Sequence, residues 1–168
     1  MSASQMLQNA IGLHQSGQLG PARSIYQEIL KRDPGHAEAH HFLGMLEHQA
    51  GNGQLGLRLL RQSVALKPDQ AFFYNNLGNT LKDLGETDEA IRAYRQGIEL
   101  DSNFVVARYN LAKLFGNVQQ LPEAIKELET AVRIEPGFAE GWKVDARGNL
   151  VGASTGHAVM YLDDLLVA

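Results

Sequence analysis

The chain of 168 residues contains no cysteine. That absence excludes a disulfide framework, a thiol nucleophile and thiolate metal sites. No apolar run approaches the ~18 residues of a membrane-spanning helix. The opening MSASQMLQNAIGLHQSGQ lacks the basic stretch and apolar run of a secretory signal. A soluble, cytoplasmic protein with no direct membrane insertion is therefore expected. There is no glycine-rich phosphate loop, HExxH or GxSxG, so no catalysis and no cofactor are expected within these residues. Excess positive charge is missing too: 15 Lys and Arg against 19 Asp and Glu leave a net charge of −4. Nucleic-acid-binding domains are usually basic, so no nucleic-acid partner is expected. What remains is 44% hydrophobic and 20% charged, a globular composition.

The stretch Ala71 to Phe104 is the unit that the chain repeats. At a helical period, Tyr74, Leu77, Gly78 and Leu81 form one face, and Ala90, Tyr94, Gly97 and Ile98 form a second. The turn around Gly85 joins two short amphipathic helices, and neither can bury its stripe alone. Steps of 34 residues from Gly78 land on Gly44, Ala10, Ala112 and Ala146, all small. Steps from Ala90 give Ala22, Gly56, Ala124 and Ala158; steps from Tyr94 give Tyr26, Leu60, Leu128 and Leu162. Gly17 and Gly51 return the turn glycine. Pro34, Pro68 and Pro136 share one place, with Ser102 the exception. Small residues stand where helices must approach closely and bulky ones where gaps need filling.

This pattern resembles the tetratricopeptide repeat. The resemblance covers 3–138 as four units, 3–36, 37–70, 71–104 and 105–138. It implies an all-α fold, a right-handed superhelix of antiparallel helix pairs stabilised by unit-on-unit packing. It also implies that the first helices line a groove for a peptide or protein. Carried over residue by residue, the groove offers Leu7, Ile11 and His14 in the first unit, and His41, Met45 and His48 in the second. The third offers Phe72, Asn75, Asn76, Asn79 and Lys82, and the fourth Val106, Tyr109, Asn110 and Lys113.

The amides are the most informative group, because each carries donors and acceptors that can bind an extended backbone. Asn76 and Asn110 resemble the asparagine ladder of O-GlcNAc transferase-like arrays, although Gln8 and Phe42 interrupt it upstream. The alternative is that these amides bond neighbouring turns or water. The carboxylate clamp of chaperone-binding members is matched only in part, at Asn79 and Asn110; Asn75 stands where its lysine should be. Lys82, Lys113, Lys143 and Arg147 suit an acidic or C-terminal segment. The histidines at 41 and 48, with Met45, do not supply the three or four ligands of a metal site, so no metal is expected.

Residues 139–168 depart from the pattern. They are expected to form a degenerate fifth unit or C-terminal cap, with a short helix near Ala139–Arg147 and another near Thr155–Val167. A β-hairpin through Lys143–Ala153, turning at Ala146–Asn149, is the alternative; the start of a further domain is a third. Two functional classes compete with a peptide-binding module. One is a self-associating scaffold, a homo-oligomer through Leu7 and Ile11 of the N-terminal repeat. The other is the repeat region of a larger enzyme, such as a glycosyltransferase, sulfotransferase or methyltransferase.

Overall fold

The structure, a computed structural model, describes residues 2–135, 142–145, 150–152 and 159–160. Eight helices occupy the first stretch: α1 (Ala3–Gln15), α2 (Leu19–Arg32), α3 (Ala37–Gln49), α4 (Gly53–Leu66), α5 (Ala71–Asp83), α6 (Thr87–Leu100), α7 (Val105–Asn117) and α8 (Leu121–Ile134). First helices begin at 3, 37, 71 and 105 and second helices at 19, 53, 87 and 121, so the period of 34 in the sequence is the period of the fold. The chain divides within α6 into two compact units, Met1–Ala93 and Tyr94–Ala168.

Three-residue turns fold each pair back on itself. Gly17, Gly51 and Gly85 take φ of 78°, 87° and 81°, and the next N–H reaches the carbonyl five residues back, as Gln18 to Leu13 at 2.9 Å and Glu86 to Leu81 at 2.9 Å. This closure satisfies carbonyls that the helix end leaves open. The fourth turn keeps the geometry without the glycine. Gln119 adopts φ 60°, and Gln120 N–H reaches Phe115 O at 2.9 Å. A side chain in the left-handed region is strained, so Gln119→Gly should raise the unfolding free energy by about 1 kcal/mol. Urea unfolding of the two proteins checks this; an unchanged midpoint would remove the strain argument.

The second helices end at Asp33-Pro34-Gly35 and its counterparts, since a proline pushes the residue before it out of the helical region. Where Ser102 replaces proline, the Asp101 carboxylate accepts from Asn103 N–H at 3.0 Å and makes the turn by another route.

In the first unit the core is built around Ala10, Ala22, Tyr26, Leu43 and Leu46, and a neighbouring cluster joins Met6, Ile29 and Ala39. Leu7 and Ile11 are half-buried and pack against the first cluster, so the chain itself covers part of the row proposed to attract a second copy. The outer side of α1 is polar. Gln5, Asn9 and Gly12 are exposed, whereas the residues one repeat on, Ala39, Leu43 and Leu46, are buried.

After the helices the described backbone is strand: β1 (Trp142–Asp145), β2 (Leu150–Gly152) and β3 (Val159–Met160), in the order β2-β1-β3. The helix expected near Ala139–Arg147 is thus replaced by strand over its described residues. β1 and β2 pair antiparallel, Trp142 opposite Gly152 and Val144 opposite Leu150, the pairing that the alternative hairpin requires. Its turn at Ala146–Asn149 lies outside the described residues. Val144 and Val151 favour a pleated surface, and Gly148 and Gly152 each disfavour a helix by about 1 kcal/mol. The final helix expected near Thr155–Val167 meets strand at Val159–Met160; the rest of it lies outside the described residues.

Candidate functional site

In the first unit the face shared by α1, α3 and α5 is joined by side-chain rungs. His14 Nε2 lies 2.9 Å from Gln49 Oε1, His41 Nε2 3.0 Å from Asn76 Nδ2, and His48 Nε2 3.0 Å from Asp83 Oδ2. Every rung joins residues 35 apart, one place more than the repeat. Adjacent first helices therefore meet with a one-residue offset.

The middle rung is the most deeply set. His41 is fully buried, stacked on Phe73 with centroids 4.2 Å apart and edge-on to Phe42 and Phe72 at 5.2 Å. Burial drives its pKa down to about 3, so the imidazole is neutral. With Nε2 accepting from Asn76, the proton sits on Nδ1, which has no hydrogen-bond partner among the described residues. Asn76 Nδ2 also approaches Met45 Sδ at 3.3 Å, and Asn75 Nδ2 donates to Asn76 Oδ1 at 3.3 Å. Asn75 is 6% exposed. Two of the amides expected to read a ligand backbone are thus engaged within the protein. Asn79, one turn further, is half-buried.

At the end of α5, Lys82 Nζ lies 3.2 Å from Asp83 Oδ1. Burial alone would raise the Asp83 carboxyl, but hydrogen bonds from His48 and Lys82, with their charges, hold it below the usual range. Lys82 is consequently neutralised by its neighbour. Glu38 and Lys67 form another ion pair at 2.8 Å, which leaves the charges of this region largely balanced in place.

In the second unit, Val106, Tyr109, Asn110 and Lys113 occupy one face of α7 at helical spacing. Val106 and Lys113 are exposed, and Tyr109 and Asn110 are half-buried. Lys113 has no ion-pair partner among the described residues. Burial pushes the Tyr109 hydroxyl up to about 12, so it remains a proton donor at neutral pH. Arg108, which the sequence does not single out, ties α7 down: it donates to Ser102 O at 2.9 Å and to Glu127 Oε2 at 2.7 Å. Lys143 lies on β1 and not on a helix, and Arg147 lies outside the described residues.

Among the described residues, no three His, Asp or Glu side chains converge as a metal site. No described helix is long and apolar enough to cross a membrane. A hollow of about 390 Å³ beside the α5–α6 turn is lined by Gly85, Glu86, Thr87, Asp88, Glu89 and Arg92, none of them a residue expected to line the groove.

Comparisons with known proteins agree with this architecture. A TPR-repeat family model matches residues 78–119, and tetratricopeptide-repeat models match 59–92 and 7–71. The fold is similar to the crystal structure of MamA protein, at 25% identity over 82% of this chain and 75% of that one, with a TM-score of 0.73. It is similar to an O-GlcNAc transferase of Thermobaculum terrenum at 26% identity and TM-score 0.74, covering 78% of this chain but 26% of the enzyme. It also resembles YrrB, described as a TPR protein with an unusual peptide-binding site, at 20% identity over 83% of this chain and 72% of that one, TM-score 0.70. No curated protein matches the sequence.

Proposed function

Because this chain is a tetratricopeptide-repeat protein, we propose that it is a non-catalytic interaction module whose first-helix faces hold a peptide segment of a partner protein. The observation that carries this reading is the α7 face: an exposed Lys113, with no ion-pair partner among the described residues, on one face with the half-buried Tyr109 and Asn110 and the exposed Val106. A cation, a protonated hydroxyl, an amide and an apolar surface on one helix suit a short acidic segment. The carboxylate meets Lys113, and an apolar side chain lies over Val106 and the Tyr109 ring. Within Met1–Ala93, the half-buried Asn79 lies one turn beyond Asn75 and Asn76 on α5, and its amide is the second contact proposed for a ligand backbone. Lys82 is a weaker anion contact than Lys113, because Asp83 offsets its charge.

Lys113→Ala should weaken a labelled acidic peptide about fivefold to tenfold by fluorescence anisotropy, and the loss should shrink as salt is raised. Asn79→Ala should weaken acidic and neutral peptides alike, with helicity unchanged. If both variants bind as the parent does, neither face is the site. A second reading, the repeat region of a larger enzyme, is favoured by the O-GlcNAc transferase similarity, where the chain spans about a quarter of that protein. The full reading frame of the gene tests it.

A further inference from the structure

We propose that the outward seam of α4 docks an amphipathic helix of a partner protein, one carrying an acidic residue between two apolar residues. This proposal is independent of the first-helix faces, because α4 is a second helix and its seam points away from the core residues it buries.

The sequence of α4, GQLGLRLLRQSVAL, has two arginines and no acidic residue, in a chain whose net charge is −4. One stripe, Gly56, Leu57, Leu60 and Ser63, is buried. Another, Leu55, Arg58, Gln62, Ala65 and Leu66, is exposed, with Leu55 at 36% and Leu66 at 47%. Its spacing of three and four residues is that of a helix-packing seam, and Leu55 and Leu66 stand about 16 Å apart along one side. Arg58 lies between them with no ion-pair partner among the described residues, whereas Arg61, off the seam, is held by Glu89 at 2.6 Å.

Scattered exposed leucines are ordinary on a protein surface. On α2 the equivalent places are Pro21 and Arg32, with no large apolar side chain exposed. On α6 the places of Arg58 and Leu66 return as exposed Arg92 and Leu100, but Glu89 replaces Leu55, so α4 alone of these three has both leucines and no acid on the stripe. A helix laid along the seam would cover both leucines and exclude water from Arg58, where a carboxylate forms a charge-assisted hydrogen bond. A helix with a cation at that place would leave two like charges facing each other.

The probe is a labelled helical peptide with leucines eleven residues apart and Glu at the place facing Arg58, compared with its Lys counterpart. The parent protein should bind the Glu peptide at least about tenfold more tightly, and Arg58→Glu should reverse the preference. Leu66→Ser should weaken both peptides, while Asn79→Ala and Lys113→Ala should leave them unchanged. Circular dichroism confirms that each variant is folded. Absence of binding, equal binding of the two peptides, or loss of binding in the Asn79 or Lys113 variants would overturn the proposal. So would Arg58-dependent binding to phosphatidylglycerol vesicles with no peptide preference, which assigns the seam to a lipid surface.

Discussion

Replacing Glu47 by alanine should lower the unfolding free energy by about 2–3 kcal/mol in chemical denaturation. Glu47 is 3% exposed on α3, yet ionised. Its Oε1 accepts from Arg23 Nε at 2.6 Å, and its Oε2 from Arg23 Nη2 at 3.2 Å and Asn52 Nδ2 at 2.7 Å. Removal of one partner from a fully buried pair costs about 3–5 kcal/mol, and the smaller value here reflects that Arg23 is partly exposed and can recover some hydration. One repeat away in either direction the place of Glu47 holds Leu13 or Leu81, and the place of Arg23 becomes Leu57. The ion pair thus occupies positions that other units fill with apolar contact. Arg23→Leu with Glu47→Leu should therefore recover most of the stability lost by the single variant, because a well-packed apolar pair has no desolvation penalty. A double variant as unstable as Glu47→Ala would refute that equivalence.

The same pair sets a direction with pH. Burial by itself would raise the Glu47 carboxyl, but hydrogen bonds from Arg23 and Asn52 and the Arg23 charge bring it below its reference value of 4.5. A lowered folded value means that the stabilisation is complete above 4.5 and is lost as pH falls through the folded value. The double leucine variant should consequently lose less stability than the parent on acidification, measured as denaturation midpoint against pH.

Gly56→Ala should destabilise by about 2 kcal/mol, although alanine is the better helix former by about 1 kcal/mol. A Cβ at Gly56 would lie 2.7 Å from the Gly44 carbonyl oxygen and 3.0 Å from the His48 amide nitrogen. Both neighbours are backbone, so relief requires separating α3 from α4. Gly12 provides the control: it lies in α1, and a Cβ there meets nothing within 4 Å. Gly12→Ala should stabilise by about 0.5–1 kcal/mol. Opposite signs for the same chemical change would isolate close approach from propensity; a gain at Gly56 would show that the two helices yield easily.

These tests mark how far the sequence could be read. The small column through Gly44 and Gly78 and its partner through Gly56 and Ala90 identified the crossing of each helix pair, because close approach restricts residue size wherever it occurs. The left-handed turn was legible at Gly17, Gly51 and Gly85 but not at Gln119, whose residue type gives no sign of its backbone angle. The strands at Trp142–Asp145 and Leu150–Gly152 escaped the leading expectation, since weak repeat matches at Trp142 and Ala146 competed with local strand preference.

The sequence by itself determined where the helices start, turn and pair, because those features depend on residues three, four or 34 positions apart. Only the tertiary structure decided which polar groups of the first helices are engaged and which face outward. The rungs from His14 to Gln49, His41 to Asn76 and His48 to Asp83 depend on a one-residue offset between packed helices. That offset arises from how side chains interlock, and the repeat period, which aligns His14 with His48, does not encode it.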